Sequence, residues 1–247
     1  MKRFPWILTL FTAPCLALLI GLGVWQVQRL QWKEGLIDQA DAAAKMAPAP
    51  ISDVLTASNP EFRKALIVCP GLPTAPFMEL QSIVDGEAGV RLISACRAPD
   101  QARPFLIDRG FLPDTVTARP HVIESTLPLS LLVELRRTPK AGGGMTPAAT
   151  ATHFYARDSA AMARALGASD ASEFTLFALS SSNPELPGLV ASAPPPAFAN
   201  NHLGYAMTWF GLAIALIGFY VAMVRRSLAR AVEPRGRGDS QTKEDFP

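Results

Sequence analysis

The strongest pattern in the sequence is a pair of long apolar runs, one near each end of the chain. No charged residue occurs from Trp6 to Trp25 or from Leu203 to Val224. A bilayer core of about 30 Å needs roughly 20 apolar residues in helical conformation, so each run has the length of a membrane span. The pattern predicts two transmembrane helices, at residues 6–25 and 203–224.

The first apolar run has a competing interpretation as a cleavable signal peptide, because Lys2 and Arg3 precede it. No small-x-small cleavage site follows the run. The segment at residues 12–15 differs from a lipoprotein signal, since Pro14 adjoins Cys15 and apolar residues continue beyond it. We therefore favour an uncleaved anchor. The lack of a transit peptide before it favours a bacterial membrane over a mitochondrial one.

The helical pattern of the first run continues beyond the predicted membrane surface. One face of the helix carries residues spaced by four, three, four and three positions: Leu18, Leu22, Trp25, Arg29 and Trp32. An Ala-rich stretch follows as far as Ala44, and Pro48 is unfavourable inside a helix. We predict a helical extension at residues 26–47.

Basic residues near the helix ends indicate the orientation, since cytoplasmic segments are enriched in Lys and Arg. These residues precede the first helix and follow the second, at Lys2, Arg3, Arg225, Arg226 and Arg230. We therefore predict a cytoplasmic N-terminal tail at residues 1–5 and a cytoplasmic basic tail at residues 225–247, with a periplasmic region between the helices. The formal net charge of +2 resides largely in the tails, so we expect no nucleic-acid partner.

The region at residues 48–198 has the short, punctuated pattern of an α+β domain. Apolar segments between Gly and Pro turns predict strands at Ala65–Cys69, Val90–Cys96, Pro104–Arg109 and Leu129–Leu135, with weaker signals at Thr152–Tyr155 and Glu173–Leu179. One helix is predicted between the N-cap Asp158 and Gly167. A turn at Gly142-Gly143-Gly144 and a stiff lead-in at Pro194-Pro195-Pro196 complete the region. The predicted fold is a membrane protein with two transmembrane helices flanking a small α+β extramembrane domain, mainly antiparallel β, as a barrel or a curved sheet.

The three cysteines leave two alternatives open. Cys15 lies in the first membrane helix, whereas Cys69 and Cys96 fall in the predicted domain. A disulfide between these two suits an oxidising compartment. Because no CxxC or metal-type spacing occurs, two structural cysteines that form no disulfide are at least as good an interpretation.

The second membrane helix carries two different faces. Small residues recur at alternating spacings of four and three, at Gly204, Thr208, Gly211, Ala215, Gly218 and Ala222. We call these six residues the small-residue seam, and such a seam allows another helix to approach closely. His202, Tyr205 and Trp209 lie away from it, and the sequence leaves open which face meets the first helix.

Motifs for catalysis are absent from the sequence: it contains no HExxH, GxSxG, Walker A or GxGxxG pattern. We interpret His121 and His153 as surface or structural residues, and Asp108-Arg109-Gly110 as an ion pair at a strand end before a glycine turn. No catalytic residue is predicted, and we expect a protein that is not an enzyme.

His202 stands at the mouth of a membrane helix, where it is either a haem-iron ligand or an interfacial capping residue.

Five segments together resemble one family. Gly23-Val24-Trp25-Gln26-Val27-Gln28-Arg29-Leu30-Gln31-Trp32-Lys33 resembles the first-helix signature of the Surfeit locus protein (Shy) family of cytochrome oxidase assembly factors. Asn200-Asn201-His202-Leu203-Gly204-Tyr205-Ala206-Met207-Thr208-Trp209-Phe210 is similar to its second-helix signature. Three further landmarks occur in order, at 106–113, 135–139 and 154–158.

The resemblance implies a bacterial assembly factor for haem–copper cytochrome c oxidase that holds haem a and aids its insertion into subunit I. Its partners would be subunit I, membrane lipid and, as a further candidate, haem A synthase. His202 is the implied iron ligand. Residues implied near the porphyrin are Trp25, Gln26, Arg29, Tyr205 and Trp209, with Arg29 as either a propionate partner or a snorkelling interfacial residue.

Two other functions compete with a haem carrier. A scaffold would stabilise an intermediate of subunit I through the small-residue seam and the domain, without binding haem. An enzyme that uses or modifies haem would need further ligands or acid–base groups near the membrane face, and the three histidines of the chain argue against it. The expected location is the bacterial inner membrane, with a multi-pass topology and both termini cytoplasmic.

Overall fold

The computed structural model describes residues 5–137, 147–194 and 200–230. The chain divides into two compact units, one made of residues 1–35 with residues 197–247, the other of residues 36–196. The predicted glycine turn at residues 142–144, the basic residues Lys2 and Arg3, and the predicted tail beyond residue 230 lie outside the described residues. Residues 138–139 and 195–199, which include the end of one motif and most of the proline lead-in, lie outside them as well.

The elements follow one another in a simple order. The helices are α1 (Trp6–Ala44), α2 (Ile51–Thr56), α3 (Ser159–Ala165) and α4 (His202–Arg230), with a short 3-10 helix at Leu72–Thr74. The strands are β1 (Ala49–Pro50), β2 (Lys64–Pro70), β3 (Phe77–Val84), β4 (Glu87–Cys96), β5 (Phe105–Pro113), β6 (Pro128–Arg137), β7 (His153–Phe154) and β8 (Phe174–Ala178).

Helices α1 and α4 confirm the two apolar helices that the sequence predicts. Each contains an apolar stretch long enough to cross a bilayer, with a mean hydropathy of 2.3 in α1 and 2.0 in α4. Helix α1 continues to Ala44, within the extension expected at residues 26–47. Helix α4 continues beyond the predicted span at residues 203–224, as far as Arg230.

Helices α1 and α4 pack antiparallel over most of the length of α4. The Thr9 and Tyr220 hydroxyls lie 2.8 Å apart at one end. In the middle, a Cβ on Gly23 would lie 2.6 Å from the Phe210 ring, so only a glycine fits there without a shift. Ala213 is 4% exposed in the same contact face. The two helices therefore approach closely, which is how helices associate in lipid.

The small-residue seam lies outside this helix contact. All six seam residues are exposed, and a Cβ added to any of its three glycines would meet nothing within 4 Å. The face toward α1 instead carries His202, Ala206, Phe210 and Tyr220. Of the two arrangements that the sequence leaves open, the structure has His202 toward α1 and the seam free.

The domain is built on an eight-stranded mixed sheet with the order β1-β2-β6-β8-β5-β4-β3-β7. Among the described strands, four pairings are antiparallel and three are parallel, so the sheet is mainly antiparallel as predicted. One apolar cluster contains Ile67 and Val133 of the sheet and packs against α2. A second cluster, around Ile93, packs against α3.

The predicted strands are all present, at positions close to those expected. The strongest four correspond to β2, β4, β5 and β6, and the weaker two contain β7 and β8. The predictions do not include β3, although Met78 and Leu80 alternate with Glu79 and Gln81 in it. That alternation is the signal of a half-buried strand, but Met, Glu and Gln are poor indicators of strand by composition.

The helix predicted after Asp158 is α3. The Asp158 side chain accepts a hydrogen bond from the Ala161 N–H, at 2.9 Å, as expected of an N-cap. The helix ends at Ala165, shortly before Gly167, which has a φ of 66°. Both ends of this helix are therefore confirmed.

A disulfide between Cys69 and Cys96 resolves the alternatives for the cysteines of the domain. It joins β2 to β4, which are separated in the sheet by β6, β8 and β5. In a flat sheet, four steps of about 4.8 Å would separate the two strands by about 19 Å. The two Cα atoms are 5.5 Å apart, so the sheet curls strongly around its first apolar cluster. The curved sheet expected from the sequence is confirmed.

Replacement of Cys69 and Cys96 by Ser should lower the free energy of unfolding of the domain by about 3–4 kcal/mol, because the disulfide closes a loop in the unfolded chain. The measurement is hydrogen exchange of β-strand peptides across a urea series, on the full chain in detergent. Cys15→Ser is the matched control and should leave the exchange unchanged. Maleimide labelling of the denatured wild type should modify one thiol before reduction and three after it, and three before reduction would contradict the disulfide.

Gly23→Ala should weaken the association of α1 and α4 by about 1–3 kcal/mol, because the added methyl overlaps the Phe210 ring. Gly21→Ala is the control, since a Cβ there meets nothing within 4 Å. All four tryptophans lie in these two helices, so tryptophan fluorescence during an SDS titration follows the helix pair and is silent for the domain. Equal midpoints for the two variants would contradict the close contact.

Candidate functional site

The candidate site is built around His202, the first residue of α4. Its Nδ1 atom lies 2.6 Å from Oε1 of Gln26, which is on the face of α1 that meets α4. Gln26 is only 9% exposed, so this hydrogen bond is largely covered by the two helices. The pair therefore has a defined geometry, although the two residues are remote in sequence.

Trp25 forms a second contact with His202. The two rings are 6.4 Å apart between centroids and nearly perpendicular, at 83°. Trp25 is 53% exposed, so its indole borders the histidine without enclosing it. Of the residues implied near the porphyrin, Trp25 and Gln26 are thus in contact with His202.

Arg29 contacts Trp32 on α1. Its guanidinium lies 3.8 Å from the centre of the Trp32 ring, which is the geometry of a cation–π interaction. Both side chains are exposed to the surroundings of the helix. This contact holds the positive charge about one turn beyond Gln26. The role of Arg29 as a propionate partner stays a prediction.

Tyr205 and Trp209 occupy different positions relative to His202. Tyr205 is 57% exposed and lines an open cavity of about 510 Å³ together with Asn200, Asn201, Gly204 and Thr208. This cavity lies at the start of the small-residue seam. Trp209 is half-buried, and its Nε1 atom is covered without a hydrogen-bond partner in the described part of the chain.

A single histidine such as His202 suits a metal-containing group that brings most of its own ligands. Within residues 5–137, 147–194 and 200–230, no group of three or more His, Cys, Asp or Glu residues can enclose a metal ion. A metal held by side chains alone usually needs three or four such ligands. Haem carries its own ring nitrogens and takes only an axial ligand from the protein, so a single histidine beside aromatic residues fits haem.

A second polar cluster lies inside the domain, around Asp108. Nε of Arg91 lies 2.9 and 2.8 Å from the two carboxylate oxygens, and a guanidinium nitrogen of Arg157 lies 2.6 Å from Oδ2. Asp108 is fully buried. Because arginines occupy both oxygens, the carboxylate has a structural role and offers no open position for chemistry.

The predicted ion pair within Asp108-Arg109-Gly110 is wrong. Adjacent residues of a strand point to opposite faces, so Arg109 does not reach Asp108. Arg109 instead donates to the carbonyl of Pro73, at 3.0 Å, and to the hydroxyl of Ser182, at 3.4 Å. Its burial lowers the pKa of the Arg109 guanidinium to about 10. Gly110 is inside β5, with a φ of 129°, and is not part of a turn.

The arginine partners of Asp108 were not predicted from the sequence, although the sequence carries a signal for one of them. Arg91 is the single charged residue between Gly89 and Cys96, and a charge inside a buried strand needs a partner. Arg157 lies in one of the motif segments, but nothing in its local sequence indicates its partner.

His153 has the structural role expected of it. Its ring nitrogens lie 3.4 Å from a carboxylate oxygen of Glu79 and 3.1 Å from the amide oxygen of Gln81. Both partners belong to β3, which pairs with the short strand that contains His153. The histidine therefore holds the edge strand of the sheet in place.

Asp108→Asn should destabilise the domain by about 3–5 kcal/mol, because it leaves Arg91 and Arg157 without a counter-charge. The control is Glu173→Gln, which breaks an exposed pair with Arg137 and should change stability by less than about 1 kcal/mol. Hydrogen exchange of β5 peptides across a urea series measures both. Similar small effects for the two variants would contradict the structural role of Asp108.

Comparison with known proteins gives one consistent result. The model of the SURF1 family matches residues 13–214. Surfeit locus protein 1 of Homo sapiens is 28% identical over 218 residues, covering 79% of this chain and 70% of the human protein. The protein of the same name in Mus musculus is 26% identical over 232 residues, covering 85% and 72%. A SURF1-like protein of Rickettsia conorii is 59% identical over 39 residues, which are 16% of each chain.

Proposed function

Because this chain belongs to the SURF1 family, we propose that it is a membrane-anchored assembly factor for haem–copper cytochrome c oxidase. In this proposal it holds haem a and aids its insertion into subunit I. The activity is binding and transfer, without turnover of a substrate. The observation that carries the proposal is the geometry of His202, whose Nδ1 is bound to Gln26 while its Nε2 is not used in that contact.

His202 would hold the iron of haem a, and Trp25 would lie beside the imidazole that holds it. When bound, haem a supplies an iron that accepts a neutral imidazole nitrogen. Trp25 is close enough to His202 to restrict rotation of the imidazole. Arg29 and Tyr205 remain candidates for contact with the edge of the porphyrin, and Trp209 lies two turns after His202 on the same helix face.

A single protein ligand suits a carrier that must release its cargo. The unit that contains His202 has no second histidine in its sequence, since His121 and His153 lie within residues 36–196. One histidine would hold haem less tightly than two, so a site in subunit I with two histidines would take the cofactor from His202. Haem A synthase is a candidate source of the haem, and lipid surrounds the apolar helices.

The proposed location is the bacterial inner membrane, with both termini in the cytoplasm and the domain in the periplasm. The disulfide between Cys69 and Cys96 supports this orientation, because disulfides persist in oxidising compartments such as the periplasm. Two spanning helices then return the chain to the side where it began. The basic residues Arg225 and Arg226 after the apolar part of α4 agree with a cytoplasmic end.

A scaffold that binds no haem is the second candidate function. The observation that favours it is the free small-residue seam of α4, whose six residues are all exposed. A transmembrane helix of subunit I could pack there without displacing α1. In that case His202 would serve only as a capping residue bound to Gln26.

The test is the reduced-minus-oxidised spectrum of the chain purified after co-expression with haem a biosynthesis. We expect a haem a band in the wild type that is lost or shifted in His202→Ala, because the axial ligand is removed. His153→Ala is the matched control, and it should retain the band. No haem in any variant, under conditions where the oxidase is loaded, would overturn the carrier and leave the scaffold.

A further inference from the structure

The contact between Gln26 and His202 bears on the tautomer of the imidazole as well as on its position. A neutral imidazole has one N–H and one nitrogen lone pair, and the partner of one nitrogen fixes the state of the other. The atom of Gln26 that faces His202 is the carbonyl oxygen, at 2.6 Å from Nδ1. A carbonyl oxygen only accepts hydrogen bonds, so a hydrogen bond between these two atoms requires the proton to be on Nδ1.

This hydrogen bond determines which ring nitrogen is free to bind a metal. With the proton on Nδ1, Nε2 carries the lone pair and can act as a ligand. With the proton on Nε2, that atom would have no lone pair to offer.

The helix packing makes the contact specific. Gly23 lies three residues before Gln26 on the same face of α1 and lets the Phe210 ring approach, which brings the start of α4 within reach of a glutamine side chain. Because Gln26 is almost fully covered, bulk water does not compete freely for its carbonyl. Trp25 contacts the imidazole in an edge geometry.

We infer that Gln26 is a positioning residue: it fixes His202 as the Nδ1–H tautomer and orients the ring so that Nε2 is the ligating atom. The inference rests on the proposed function for the identity of the ligand, and it assigns Gln26 a place behind the histidine and out of contact with the porphyrin. The tautomer itself exists without haem, so it can be measured independently.

The experiment is ¹⁵N NMR of the full chain in lipid nanodiscs, labelled on histidine and free of haem. The His202 signals are identified by their loss in His202→Ala. We expect a protonated Nδ1 in the wild type and a protonated Nε2 in Gln26→Leu. Gln26→Glu should keep the proton on Nδ1, since a carboxylate also accepts. Gln28→Leu is the matched control on the exposed face of α1 and should resemble the wild type.

A wild type with its proton on Nε2, or a tautomer that Gln26→Leu leaves unchanged, would overturn the inference. Tryptophan fluorescence verifies that each variant keeps the helix pair, so a lost fold is recognised. Haem titration of the same samples adds a separate readout: Gln26→Leu should weaken binding by about 10–100-fold. Absence of haem binding in the wild type would overturn the proposed function, while the tautomer measurement would still decide the role of Gln26.

Discussion

The close approach of α1 and α4 at Gly23 is the contact on which the candidate site depends. In lipid, no hydrophobic force draws two apolar helices together, so their association relies on tight packing and hydrogen bonds. Gly23 supplies the packing by admitting the Phe210 ring, and Gln26 supplies a hydrogen bond one turn later. His202 is therefore held by the same contact that holds the helices together.

The physical requirement in the domain is different, because a curved sheet has to close around a small core. The disulfide joins strands that are not neighbours, so it is a covalent link where the sheet has no ladder of hydrogen bonds. Asp108 and its two arginines lie inside the same domain, where the two ion pairs make burial of the carboxylate tolerable. Disulfide and ion cluster thus restrain the sheet at separate places.

The local patterns of the sequence predict much of this protein, and the contacts between distant residues escape them. The helices follow from uninterrupted apolar runs, and the two signature motifs contain both His202 and Gln26. The face of α4 that meets α1 depends on the fit of Gly23 to Phe210, which no periodicity reveals. The pairing of the two domain cysteines depends on the curvature of the sheet, and the arginine partners of Asp108 lie 17 and 49 residues away in sequence.

The spacing of glycines on the free face of α4 has a geometric consequence. Gly204, Gly211 and Gly218 recur at every seventh residue, and a seven-residue repeat is the period of a left-handed supercoil. A helix that packed on these glycines would cross α4 at a shallow angle of about 20°, whereas a four-residue glycine motif produces a steeper right-handed crossing. Such a helix would follow α4 through the depth of the bilayer, and its contact area would grow with every turn that the two helices share.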